Sequence, residues 1–291
     1  MCDEFTAGAE EAHLARRGLN RRQFAALGAA GMALVGCSGT VKADGGSDVS
    51  EKMVSITTAD GICDAFFVHP AKGTHPGVIL WPDIAGLRDA FKIMARNLAA
   101  EGYAVLAVNQ YYRGSPAPVL DSFSEWRTPE GQAKIAPLRE ALTPDAVTSD
   151  AKAFVAFLDQ QEEVDIARGI GSNGYCMGGP FTVRSAAAVP SRVKAAASFH
   201  GAGMVTDAPD SPHRLLARTQ AGFLFAIARN DDERQPEQKT ELRKAADAAG
   251  RPAEIEVYPA DHGWCVVDSP AYDPNAADKA WQRMLALFSG L

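Results

Sequence analysis

Four short strand candidates constrain this chain more than any other feature: the continuous apolar run Pro76–Trp81, together with Tyr103–Asn109, Val193–His200 and Ala221–Ala228. Runs of this length without polar alternation fit strands buried on both faces, and helices crossing over a parallel sheet provide that cover. The segments between them supply such helices. Ala90, Phe91, Met94, Ala95 and Leu98 fall at helical spacing before a stop at Gly102. Val147, Ala151, Phe154, Val155 and Leu158 do the same after Thr143-Pro144, with proline at the first helical position. Further helices are expected near Pro180–Val189, over Pro236–Ala249 with Gly250 as its stop, and around Trp281, Met284, Leu285 and Phe288 after Asp273-Pro274. Lys52–Thr57 and Ile62–His69 alternate around Asp60-Gly61, a hairpin signal, and Glu254–Tyr258 reads as a last short strand. The expectation is one α/β domain over residues 51–291, with a mostly parallel sheet and helices on both faces. Residues 113–142 are polar and Pro-rich, longer than most connections in such a domain, and read as a lid or binding loop.

The first 37 residues follow other rules. Asn20-Arg21-Arg22-Gln23-Phe24 precedes a modest apolar segment, Ala25 to Gly36, too short to span a bilayer. Paired arginines before such a segment resemble a twin-arginine export signal, and Leu34-Val35-Gly36-Cys37 resembles a lipobox that would lipidate Cys37. Residues 38–50 then read as a flexible tether. The expected location is periplasmic, or membrane-anchored only through Cys37. The formal charge of −7 and the absence of a Lys/Arg-rich run argue against nucleic-acid binding. Of five cysteines, export leaves Cys63, Cys176 and Cys265, an odd number with no CxxC spacing. At least one thiol therefore stays unpaired; a Cys63–Cys265 bridge is left open.

That thiol has a conspicuous setting. Gly174-Tyr175-Cys176-Met177-Gly178-Gly179 lies between a short strand candidate and a helix start, the layout of a nucleophile elbow with cysteine in place of serine. The flanking glycines suit a sharp turn with close backbone approach. The turn aims the side chain at a helix N-terminus, where unpaired N–H groups favour a thiolate. A thiol nucleophile needs a base, and the base an orienting acid. Asp232 follows the strand ending near Ala228, with Asp231 as the weaker candidate, and His262 follows the strand ending at Tyr258. Carboxyl ends of parallel strands converge on one sheet edge, so these residues can meet. None of His69, His75, His200 and His213 has metal-ligand spacing with acidic or cysteine partners, and no metal or organic cofactor is expected.

The hexapeptide, Asp232 four residues before Pro236, and His262-Gly263 together resemble the dienelactone hydrolase family. The likeness extends to Trp81-Pro82-Asp83-Ile84-Ala85-Gly86 and Tyr111-Tyr112-Arg113. It implies an α/β-hydrolase fold with a Cys176–His262–Asp232 triad, and a strand-end carboxylate, here Asp83, near the thiol. It further implies an oxyanion hole from the amides of Met177 and Ile84, and a substrate carboxylate bound by Arg113. Two positions depart from the family: Asp83 stands where glutamate is usual, and Val266 where a second carboxylate-binding arginine is found. Tyr112 and Trp264, with Trp81, Tyr111 and Trp126, are expected to line the pocket. The implied substrate is a small ester or lactone cleaved by a monomer through an acyl-thioester. A broader carboxylesterase or thioesterase is the alternative, as is a non-catalytic exported lipoprotein that binds a ligand or senses oxidants through Cys176.

Overall fold

The structure, a computed structural model, describes residues 39–42 and 48–291; Cys2, Cys37 and the expected export segment lie outside the described residues. A nine-stranded sheet forms the middle of the domain. In chain order its strands are β1 (Gly39–Lys42), β2 (Asp48–Thr58), β3 (Gly61–Pro70), β4 (Gly77–Trp81), β5 (Ala104–Val108), β6 (Ile170–Tyr175), β7 (Val193–Phe199), β8 (Gly222–Ala228) and β9 (Ala253–Tyr258). Their spatial order is β1-β2-β3-β5-β4-β6-β7-β8-β9. The pairs from β1 to β5 are antiparallel, and every pair from β5 to β9 is parallel. Each expected strand is found, all but one within a residue or two; β2 begins at Asp48, four residues before the expected Lys52, and the hairpin turns at Asp60-Gly61. One correction applies at the start: within the segment expected to be a flexible tether, Gly39–Lys42 pairs with Asp48–Glu51 as β1 against β2.

The all-apolar strands β4 and β5 are buried at every residue. Two core layers cover the sheet. On one face α1 (Asp89–Ala100) and the terminal helix α9 (Pro274–Phe288) set Phe91, Leu98, Met284 and Phe288 against Leu80, Val105 and Ala107. On the other face α4 (Pro144–Leu158), α5 (Gly179–Ala188) and α8 (Gln238–Ala249) set Phe154, Val183 and Leu242 against Ile79, Leu106 and Phe225. Local chemistry starts these helices where it is legible in the sequence. Thr143 caps α4 through the Ala146 amide, and Asp273 caps α9 through Asn275 and Ala276, each followed by proline in the first turn.

The long 113–142 segment carries two helices, α2 (Phe123–Trp126) and α3 (Pro129–Glu140). Its apolar side buries Leu120 and Ile135 with Tyr111 and Ala85, and Phe123, Trp126 and Leu138 pack against this cluster, as do Ile84 and Met177. The expected lid thus shares one apolar cluster with the two residues whose amides are expected to form an oxyanion hole. After β8 the chain makes a helix that sequence periodicity did not reveal, α7 (Arg229–Arg234); the short α6 (Pro212–Leu215) lies between β7 and β8.

Candidate active site

The site gathers at the carboxyl ends of β4, β6, β7, β8 and β9. Between β6 and α5 the elbow makes a single tight turn (Cys176–Gly178) with Cys176 at φ 53°. A non-glycine residue in the left-handed region stores about 1–3 kcal/mol of strain, which surrounding contacts must hold. The glycines explain how the turn fits. A Cβ on Gly174 would sit 2.1 Å from the Gly178 carbonyl oxygen, and one on Gly178 would sit 2.5 Å from the Trp81 oxygen. Only bare backbone lets the elbow press against the exit of β4, where Ile84 begins the next turn. The Ile84 amide donates to no group among the described residues. The Met177 amide lies in the opening turn of a helical segment, where N–H groups have no intrahelical acceptor. Tyr111 holds the Ile84 peptide from behind, its hydroxyl donating to the Ile84 carbonyl at 2.8 Å.

His262 joins the thiol to an acid. Its Nδ1–H donates to Asp231 Oδ2 at 2.6 Å, and its amide donates to Asn230 Oδ1 at 2.9 Å. Its ring also interacts electrostatically with the Cys176 side chain. Burial opposes charge on the imidazole, but its interactions with Asp231 and Cys176 outweigh it and raise the pKa to about 10. The acid partner corrects the sequence preference for Asp232. The stretch after β8 is helical, so neighbouring residues point about 100° apart and only one can face His262. Asp231 does; Asp232 turns away to Lys239 Nζ at 2.6 and 2.7 Å.

Four further expectations are corrected by the geometry. Asp83 does not serve the thiol: it is 1% exposed, and its carboxylate accepts from Arg88 at 2.8 and 3.0 Å and from the Ala85 amide at 2.9 Å. The same guanidinium binds Asp268 at 2.7 and 2.7 Å, and Asp268 accepts from the Phe123 amide at 3.0 Å. The flanking carboxylates hold Arg88 above its ordinary value although burial works against its charge. Through Arg88 and Asp268, Asp83 thus anchors the turn at Ile84 to the loop after His262 and to the 113–142 segment. Arg113, expected to bind a substrate carboxylate, has its fork filled by Asp150 (2.8 and 2.8 Å) and Asp60 (2.9 and 2.6 Å). Tyr112 donates to the same Asp150 at 2.8 Å and bonds Thr58 at 2.7 Å. Both residues fasten the β2–β3 hairpin to α4. Trp264 is fully buried, stacked on Tyr258, and offers no substrate-facing surface. Of the other pocket candidates, Trp81 is also fully buried, donating to Ser185 Oγ at 3.1 Å; Tyr111 and Trp126 do stand in the cluster beside Met177. Val266 lies in the core. Cys63 and Cys265 are buried free thiols, so the bridge left open is not formed.

One residue with no assigned role stands at the centre of this arrangement. His200, at the end of β7, is 1% exposed, and its ring centroid is 4.7 Å from that of His262. Its strand-end position was the signal available in the sequence.

The comparisons agree with this architecture. The sequence profile described as the dienelactone hydrolase family matches residues 63–291. A Synechocystis protein provisionally named carboxymethylenebutenolidase is 30% identical over 246 residues, covering 83% of this chain and 97% of the relative. A Methylorubrum extorquens protein with the same provisional name is 30% identical over 238 residues, covering 79% of this chain and 78% of the relative. The crystal structure of a protein from Klebsiella pneumoniae, provisionally titled dienelactone hydrolase, has a TM-score of 0.72 at 25% identity and covers 84% of this chain and 99% of its own.

Proposed function

The chain belongs to the dienelactone hydrolase family and is a hydrolase of lactone or ester bonds; we propose that it works through a Cys176–His262–Asp231 triad. The observation that carries this reading is the imidazole of His262, hydrogen-bonded to Asp231 on one side and interacting electrostatically with the Cys176 thiol. The Cys176 thiol gives its proton to His262, and the sulfur attacks the carbonyl carbon. The carbonyl oxygen becomes an oxyanion beside the Met177 and Ile84 amides, where preorganised donors are worth most. Collapse breaks the C–O bond, His262 protonates the leaving alkoxide, and an acyl-thioester remains on Cys176. His262 then takes a proton from water as that water attacks, and breakdown returns the thiol and the carboxylic acid. Asp231 keeps Nδ1–H in place throughout, leaving Nε2 for the transfers. A lactone suits this nucleophile because its alkoxide or enolate leaves readily.

Turnover of p-nitrophenyl acetate and of a dienelactone by Cys176→Ala and His262→Ala is the test. Near-background rates are expected in both variants, and unchanged turnover in both overturns the reading. A broader ester preference is favoured by one observation: the Arg113 fork is already filled by Asp60 and Asp150. A substrate panel separates the two, since a carboxylate receptor would discriminate against neutral esters. Export by residues 1–37 with lipidation at Cys37 is a separate proposal, supported by Arg21-Arg22 and Leu34–Cys37 and checked by the mass of the mature N-terminus.

A further inference from the structure

We propose that His200 is a positioning residue, a neutral imidazole that fixes the backbone of the nucleophile and backs the ring of His262. The inference rests on the triad reading above. Cys176 sits in a strained conformation that something must hold, and the turn after β7 grips its backbone at both ends. The Cys176 amide donates to His200 Nδ1 at 3.1 Å, and the Cys176 carbonyl accepts from the Ala202 amide at 3.3 Å. His200 itself is strained, at φ 41°, and is held by its own amide donating to the Ala226 carbonyl at 2.8 Å. Two residues in the left-handed region, bonded to each other, lock the elbow to β7 and β8.

The bond also decides the tautomer. An N–H donor at Cys176 requires an unprotonated Nδ1, so the ring proton of His200 is on Nε2. That nitrogen is buried without a partner among the described residues. The ring lies 4.7 Å from His262 and 5.1 Å, edge-on, from Trp264. A second positive imidazole there would face the Cys176 amide with a donor and repel the His262 imidazolium. The groups around it agree: burial, and then the charge of His262, push His200 well below the ordinary histidine value. The titratable groups facing it are His262 and Cys176, with Asp231 behind His262 and Tyr175 on the far side at 6.2 Å. His200 therefore holds sulfur and base in register without competing for the proton they share.

The test uses the full chain. His200→Phe keeps a flat ring but removes the acceptor; His200→Gln restores one. Displacement of a reacting atom by about 1 Å costs on the order of a hundredfold, so kcat in the Phe variant should fall by about tenfold to a hundredfold at little-changed KM. Its iodoacetamide alkylation profile at Cys176 should move to higher pH, with partial recovery of both in the Gln variant. Wild-type rate and profile in a folded Phe variant overturn the proposal. Should that variant not fold, imidazole nitrogen NMR on the wild type decides. An Nε2–H neutral ring down to pH 5 supports the inference, and a protonated or Nδ1–H ring at neutral pH overturns it. Loss of the triad reading would instead appear as normal hydrolysis by Cys176→Ala, which neither measurement on His200 produces.

Discussion

Two carboxylate clusters flank the elbow, and they use their charges in opposite ways. At Arg88 the guanidinium is fully buried and bonded to both Asp83 and Asp268, and nothing is left to offer a substrate. At His262 one imidazole nitrogen is held by Asp231, while the other has no carboxylate partner among the described residues, and both residues are only partly buried. A charged residue near a nucleophile is available for chemistry only when its neighbours leave a bonding position free. Arg113 belongs with Arg88 by this criterion, despite its place in a motif that suggested otherwise.

The largest effect that would break this contrast is catalytic. Asp231→Asn should lower kcat on the order of 10⁴-fold, as when the acid of a triad becomes its amide, measured on p-nitrophenyl acetate. Wild-type kcat in that variant would move Asp231 to the structural class. Asp83→Ala should behave the other way. It leaves Arg88 buried with half its partners, a loss of about 3–5 kcal/mol measured by urea denaturation, with any loss of rate following from lost anchoring.

A smaller effect is the pH dependence of stability. His262 binds its proton more tightly folded, near 10, than unfolded, near 6.5. The stability it contributes is therefore complete below pH 6.5 and lost as pH rises through about 10. The gap in melting temperature between wild type and Asp231→Asn should be widest near pH 6.5 and close towards pH 10; a gap that widens with pH contradicts the assignment. The smallest effect is expected at Asp232. Its partly exposed pair with Lys239 is worth at most about 1 kcal/mol, so Asp232→Asn should keep full kcat, measured on the same ester.

These contrasts mark what could be read from the residues. The apolar runs and the glycines of the elbow are local signals, because a strand buried on both faces and a turn with no room for Cβ each impose their own composition. They placed Cys176 and His262 at the carboxyl ends of strands on the same edge of the sheet. The sequence ranks Asp231 behind Asp232 because α7 is six residues long, too short to show periodicity, and one residue of rotation decides which carboxylate faces the imidazole. His200 was weighed only as a metal ligand, since nothing in Phe199-His200-Gly201 announces that its ring accepts a bond from an amide 24 positions earlier.

By itself the sequence determined the parallel α/β sheet, the strained elbow and the presence of a thiol, an imidazole and an acid in workable order, since each depends on the chemistry of a few adjacent residues. Only the tertiary structure decided which acid bonds His262, that Asp83, Arg113 and Tyr112 are anchors, that Trp264 is core, and that His200 accepts from the Cys176 amide. Those assignments depend on which of several like groups comes within hydrogen-bonding distance. That is a matter of ångströms across strands far apart in the chain, which a list of residues does not contain.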